Sequence, residues 1–578
     1  MKKSSLLFFI PFTLVLLGLT SVETKDTQTD MTTYLNRLKR EAWVDSVFNT
    51  FSEDDKIAQL FMLAVEPSGN PRVGNEISTL IKKYKIGGLV FFKGMPTEQA
   101  QLTNRFQSEL NIPALVAIDG EWGLGMRLDS TISFPYQMAL GAIQDDNLIY
   151  EMGIEIGREC KRIGIHINFA PVADVNNNAK NPVINYRSFG ENKIKVASKA
   201  YAYMKGMQDI GLITSAKHFP GHGDTDVDSH YGLPVIKHNI ERLDDIELYP
   251  FKELINKGLN GVMVAHMNIP ALDATPNLPT TLSKPVITHL LREKLGFKGL
   301  IFTDAMRMKG VTAYHPVGEA EVKALLAGID IIELSENTPK AIEAIKSAVK
   351  TGVIKQEDID TKCKKVLTAK YDLGFANFQK VNLQNLIADL NTDPAKELHR
   401  KLSAATLTLL KNDQSLLPLR NIEKQKIAVI SIGAIGKTKF QTKIGEFAKT
   451  EDFSLPMTAN ANAIKKVSSQ LKKFDLVIIA LHDTQKRPNN KVEYSSDLIN
   501  FVGELAKNPN AIITVLKNPY TLAKFKNIEV AKQLVMLYYD SEIVQEVAAD
   551  FIFGKSYASG KIPVTVGSFK AGDGIEIK

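Results

Sequence analysis

From about residue 50 to 370, short apolar runs alternate with amphipathic stretches of helical period, and this constrains the fold more than any other feature. The runs are IGGLVFF (86–92), ALVAID (114–119), INFAPVAD (167–174), LITSAKHF (212–219), VMVAHM (262–267), LIFTDAM (300–306) and IDIIEL (329–334). Between them lie patterns such as DNLIYEMGIEIGRECKRIG (146–164) and VASKAYAYMKGMQDIG (196–211). Repeated strand–helix units predict a parallel sheet covered by helices. Seven or eight such units in about 300 residues favour a (β/α)8 TIM-like barrel over an open sheet. Asp119, Asp174, Lys217 with His218, His266 and Asp304 each close an apolar run at its C-terminal end. One terminal Asp would read as a helix cap; five polar endings in succession predict groups converging on one face of a barrel.

Past residue 375 the pattern breaks, and 376–395 reads as a linker. A second set of apolar runs follows: KIAVISIG (426–433), DLVIIALHD (475–483), NAIITVLKN (510–518) and QLVMLYYD (533–540). They predict a smaller α/β domain built on a parallel-sheet sandwich, over 396–570, with the barrel over 35–375. His482 and Asp483 stand at one of its strand ends.

The chain of 578 residues is long enough for two or three domains. It carries a net charge of +7, but the lysines are scattered and form no basic stripe with interleaved aromatics. That argues against a nucleic-acid partner. Residues 1–22 have another character: two lysines, then an apolar run from Leu6 to about Leu19, then a polar segment. This is the layout of a signal peptide, so the body of the protein is expected to be exported, to the periplasm or the cell exterior. An uncleaved segment would instead act as a membrane tether. No cysteine follows the run, which excludes a lipoprotein anchor; Cys160 and Cys363 are far apart and form no C-x-x-C motif.

KHFPGHGDTDVDSH (217–230) holds three histidines, three aspartates, a lysine and two glycines. Asp224, Asp226 and Asp228 have the spacing that opens a calcium loop, but Ser229 stands where its glycine is due and Val235 where its glutamate is due. His218, His222 and His230 lack the helical H-E-x-x-H spacing of a zinc site. The predicted metal content is therefore none. The acid–base reading fits better: Asp228 lies two residues from His230 in a glycine-punctuated loop, where the carboxylate can orient the ring and stabilise its protonated form. Asp304, at the end of its strand, could then serve as a nucleophile. A covalent nucleophile and a separate proton donor are the two parts of retaining glycoside hydrolysis.

K-H-F-P-G-H-G followed by D-S-H, with T-D-A-M downstream, resembles the β-N-acetylglucosaminidase branch of family 3 glycoside hydrolases. TLLKNDQSLLPL (408–419) and SGKIPVTV (559–566) resemble the C-terminal α/β domain of that family. The resemblance implies a cofactor-free enzyme acting on terminal β-linked N-acetylglucosamine in cell-wall fragments or related glycosides. It implies Asp304 as the nucleophile and His230, supported by Asp228, as the acid/base. Lys217, His218 and Arg187 match substrate contacts, while Asp119 and Arg127 match the D-x-E-G-G-x-x-x-R motif. In DGEWGLGMR (119–127) Trp122 replaces the first glycine of that pair and Leu124 a commonly seen arginine. Its carbohydrate substrate is the one partner the resemblance implies. Another family 3 β-glycosidase, glucosidase-like, and a non-catalytic glycan-binding protein are the alternatives.

Overall fold

The computed structural model describes residues 23–67, 71–482 and 493–577; the segment read as a signal, 1–22, and Asp483 lie outside them. Nine strand segments form the first domain: β1 (Phe61–Val65), β2 (Gly88–Phe91), β3 (Leu115–Ile118), β4 (Ile167–Asn168), β5 (Ile213–Thr214), β6 (Ala216–Phe219), β7 (Gly261–Val264), β8 (Leu300–Thr303) and β9 (Ile332–Glu333). Every pairing among them is parallel, in the orders β5-β4-β3-β2-β1-β9 and β6-β7-β8. Two seams join the runs. Only Ser215 separates β5 from β6, and Ile331 bridges Phe302 of β8 while Asp330 N–H donates to the Ile301 carbonyl (2.9 Å). The result is the expected eight-fold barrel. The sequence runs supplied seven of its eight passes; the first pass is FMLAV at 61–65.

The strands are short and apolar because the barrel interior is filled by side chains, with helices covering the outside. Phe61, Phe91, Ile118, Ile167, Val262 and Phe302 are all fully buried in one continuous core. Both cysteines are buried and unpaired.

The second domain is one sheet ordered β10-β15-β14-β13-β11-β12, with β10 (Thr408–Asn412), β11 (Ile427–Ile432), β12 (Thr450–Leu455), β13 (Leu476–His482), β14 (Ala511–Leu516) and β15 (Gln533–Met536). All pairs are parallel except β10 with β15. The parallel sheet expected from the sequence thus carries one antiparallel edge strand.

The stretch read as a linker runs against the barrel. Arg162 donates to Asp389 (2.8 Å), and Asn104 exchanges two hydrogen bonds with the Val381 backbone (both 2.8 Å). The domains also meet directly. The helix Gln137–Ala142, which belongs to the barrel's chain, is wholly buried and contributes Met138, Ala139 and Ala142 to the second domain's core. Among the described residues no helix is long and apolar enough to cross a membrane.

Candidate active site

The polar strand ends converge as the sequence predicted. Lys217, only 2% exposed, reaches across the barrel mouth to Asp119 (2.7 Å) and Glu121 (2.9 Å). Arg127 also binds Asp119 (2.7 Å), and Arg187 forks onto Glu121 (2.6 and 2.9 Å). Two carboxylates and three cations thus form one network. Burial alone would raise the Asp119 carboxyl, but the charges of Lys217 and Arg127 outweigh it and bring it down to about 2. Glu121 is likewise held far below the usual range: burial opposes this, and Arg187 and Lys217 prevail. The three donors matched to substrate contacts are therefore already positioned by carboxylates, which fixes the direction of each N–H fork. Glu121 was not singled out from the sequence, although it occupies the acidic position of D-x-E; its partner Arg187 lies 66 residues away.

His218 is fixed by Asp174. The carboxylate accepts from its Nδ1 (2.7 Å) and backbone N–H (3.2 Å), and from the His222 N–H (2.6 Å). The Nε2 of His218 then faces Arg187 (3.3 Å). Burial brings His222 down to about 4, so its ring is neutral at neutral pH; it meets Thr225 (2.8 Å) and Ser229 (3.2 Å) inside the loop. His266 is buried behind Asp304, between Thr281 (2.6 Å) and the Ala305 carbonyl (3.1 Å), and burial lowers it too.

Asp304 follows β8 directly, with its own N–H held by the Val264 carbonyl (2.9 Å). Its Oδ1 accepts from the Ala305 N–H (2.8 Å), and Oδ2 has no hydrogen bond among the described residues. Burial would raise this carboxyl, but the imidazoles of His266 and His218 and the Ala305 N–H hold it below the ordinary value. It is an ionised carboxylate with one oxygen available for bond formation.

The loop carrying His230 is built over Asp304. Gly223 is required at its base, because a Cβ there would lie 1.9 Å from the Val175 carbonyl oxygen. Asp224 bonds His238 (2.7 Å), Asp226 accepts from Asn178 (2.8 Å) and Asp228 bonds His230. The three aspartates of the calcium-like spacing thus turn to three separate partners. At the tip, Asp228 Oδ1 takes both the His230 backbone N–H (2.9 Å) and Nδ1 (2.7 Å). The His230 ring is 58% exposed and its Nε2 takes no partner among the described residues. The loop is then tied to the segment that follows Asp304: Gly310 N–H donates to the Ser229 carbonyl (3.1 Å) and Lys309 N–H to that of His230 (3.4 Å). The Asp228 hydrogen bond raises His230, burial opposes, and the Asp304 charge adds to the rise. Those groups favour imidazolium, the form that can donate a proton.

The second domain reinforces this face from behind. Asn176 donates to the Tyr520 hydroxyl (2.7 Å), Asn518 donates to Asn185, and Glu191 accepts from Thr565 (2.6 and 2.8 Å). Between them, Asn181 donates to the carbonyls of His222 (2.9 Å) and Gly223 (3.0 Å) at the root of the His230 loop.

An eight-fold barrel whose mouth brings a strand-end carboxylate under an exposed imidazole, among groups suited to sugar hydroxyls, has the character of a glycoside hydrolase. Residues 52–369 match the Glycosyl hydrolase family 3 N terminal domain and residues 407–571 the Glycosyl hydrolase family 3 C-terminal domain. The chain belongs to glycosyl hydrolase family 3. It is 33% identical over 393 residues to Beta-hexosaminidase A of Pseudoalteromonas piscicida, a match covering 62% of this chain and 65% of that protein. It is 25% identical over 550 residues to a Beta-N-acetylglucosaminidase/beta-glucosidase of Cellulomonas fimi, covering 90% of this chain and 95% of the relative. Among solved structures, a family 3 beta-N-acetylglucosaminidase from Paenibacillus sp. str. FPU-7 superposes with a TM-score of 0.76 at 29% identity, covering 90% of this chain and 99% of that one.

Proposed function

We propose that this chain is an exported, exo-acting β-N-acetylglucosaminidase that removes terminal, non-reducing β-linked N-acetylglucosamine from peptidoglycan fragments or related glycosides. The observation that carries the reading is the Asp228–His230 pair tied over Asp304. Relatives whose printed names are hexosaminidase or N-acetylglucosaminidase support the substrate class. Export rests on the character of residues 1–22.

In this reading Asp304 attacks the anomeric carbon while His230 Nε2–H protonates the departing oxygen. Asp228, on Nδ1, keeps the ring turned and stabilises its positive charge. Water then hydrolyses the glycosyl–Asp304 ester, with His230 now taking the proton, and the β configuration is retained. The electrostatics fit this double duty. The Asp228 bond raises His230 throughout, but the Asp304 charge raises it only until the ester forms. Glycosylation neutralises Asp304, His230 becomes less basic by that amount, and the imidazole is left nearer its ordinary value for the hydrolytic step. Asp119, Arg127, Arg187, Lys217 and His218 hold the sugar while charge develops at the anomeric centre. The scheme calls on no metal and no cofactor.

The test is hydrolysis of a chromogenic β-N-acetylglucosaminide, with the first-formed anomer followed by NMR. Initial β-anomer is expected; initial α-anomer sinks the double displacement. The double name of the Cellulomonas fimi relative makes the matching β-glucoside the second substrate to assay. Glucoside turnover exceeding that of the amino sugar would replace the hexosaminidase reading with a glucosidase one. Turnover of neither would leave a glycan-binding protein.

A further inference from the structure

Glu333 ends β9, and nothing in the scheme above uses it. Its placement follows from sheet register. Phe302 of β8 pairs with Ile331, and residues paired across parallel strands point to the same face. Beyond that pair Glu333 lies beside the Thr303–Met306 segment that carries Asp304: its N–H donates to Thr303 Oγ1 (2.9 Å) and its carbonyl accepts from the Met306 N–H (3.0 Å). On its other side Glu333 pairs with Met62 of β1. Glu333 is 3% exposed, and its Oε1 has no hydrogen-bond partner among the described residues. A buried carboxyl oxygen without a partner is unfavourable in a structural role and expected at a ligand site.

The charged groups facing Glu333 are Asp119, Asp304 and Lys217. Burial first, and then the negative charges of Asp119 and Asp304, push its carboxyl well above the ordinary range against the pull of Lys217. Two neighbouring carboxyls are thus driven apart, Asp304 toward the ionised form and Glu333 toward the neutral one. An ionised carboxylate only accepts hydrogen bonds, whereas a neutral carboxyl also donates one.

We propose that Glu333 is a substrate-contacting residue whose carboxyl group donates a hydrogen bond to a hydroxyl oxygen of the sugar held between Asp119 and Asp304. The proposal rests on the glycosidase reading and deepens it. The pocket reads one sugar hydroxyl through an uncharged donor, beside the acceptors and cations already described.

The experiment uses the full chain as wild type, Glu333→Gln and Glu333→Leu. The substrates are 4-nitrophenyl β-N-acetylglucosaminide and its 3-, 4- and 6-deoxy analogues. Glu333→Leu is expected to lower kcat/KM on the parent by about tenfold. Glu333→Gln, which keeps a donor, should remain within about threefold of wild type. On one deoxy analogue, wild type and Glu333→Leu should become equal, which identifies the hydroxyl. No loss on the parent, or an equal loss on all four substrates, overturns the contact. So does a loss that grows with leaving-group pKa, which would make Glu333 a proton donor. Wild-type turnover is read first and tests the glycosidase reading separately. If the wild type hydrolyses only the glucoside, the comparison passes to deoxyglucosides with the same outcomes. If it hydrolyses neither, saturation-transfer NMR of N-acetylglucosamine and glucose decides: weakened binding by Glu333→Leu supports the contact, and unchanged binding refutes it.

Discussion

Polar side chains gather at the carboxyl ends of parallel strands twice in this molecule, and the two gatherings are built differently. In the second domain His482 ends β13. Its Nδ1 meets Asp540 (3.0 Å) and its Nε2 meets Ser431 (3.2 Å). Ser431 in turn meets Thr438 (3.0 Å), and Gln545 donates to Asp540 (2.7 Å). A serine, a histidine and an aspartate in that order resemble a catalytic triad, yet Ser431 and His482 are fully buried and each group is satisfied by another protein group. The barrel mouth has the opposite character. Asp304 Oδ2, His230 Nε2 and Glu333 Oε1 are all without a hydrogen-bond partner among the described residues, and all lie at the barrel mouth. Residue types at strand ends are common to both clusters. Of the two clusters, the one with unmet hydrogen-bonding capacity among the described residues is the barrel mouth.

The sharpest break between the two would come from removing a reacting group on one side and its look-alike on the other. Asp304→Ala is expected to cut steady-state hydrolysis by about 10⁴-fold or more, while Ser431→Ala leaves kcat/KM within about twofold. A comparable loss in the serine variant would end the contrast. Next in size, His230→Ala should slow substrates with poor leaving groups by about 10²–10⁴-fold and spare activated aryl glycosides in part; a uniform loss across leaving groups would speak against an acid role.

Lys217→Met tests the charge network. It removes the cation that Asp119 and Glu121 share and leaves each with one arginine, and urea unfolding should show a loss of about 1.5–3 kcal/mol. The same measurement on Ser431→Ala should give about 1 kcal/mol. Asp228→Asn tests the dyad through pH. The Asp228 bond favours imidazolium and raises His230, so its removal lowers that pKa. Because the acid must be protonated, the alkaline limb of kcat/KM should then move to lower pH; an unmoved limb would detach Asp228 from the acid. The smallest effect is expected at the domain contact. Tyr520→Phe removes the acceptor for Asn176 at a cost of about 1 kcal/mol, with a change of a few-fold in kcat and little in KM.

Much of this was readable from residue order. Alternation of apolar runs with helical periods revealed the barrel because each buried parallel strand must be continuously apolar. FMLAV at 61–65 escaped because only Gln59 and Leu60 stand between it and the preceding helix Glu53–Ala58, with no glycine or proline to set the two apart. Strand β12, TEDFSL, escaped for another reason: it is an edge strand, half exposed, and carries two acidic residues. Within the site, strand-end position sufficed for Asp119, Lys217, His218 and Asp304. Glu121 and Glu333 needed three dimensions. The first is defined by a partner on another loop, and the second lay inside IDIIEL, where the surrounding apolar residues describe a strand and hide the one side chain that turns into the mouth.

The helix Gln137–Ala142 has a consequence for how such chains diversify. It leaves the barrel, plugs into the neighbouring domain's interior, and offers its Ala142 carbonyl to the Lys561 N–H (3.0 Å). Gly141 allows this only because it has no side chain, a Cβ there falling 2.0 Å from the Phe189 carbonyl oxygen. The two halves are therefore not interchangeable cassettes. A recombinant joining this barrel to a foreign second domain would have to import a matching socket, so drift in one half constrains drift in the other even far from any sugar.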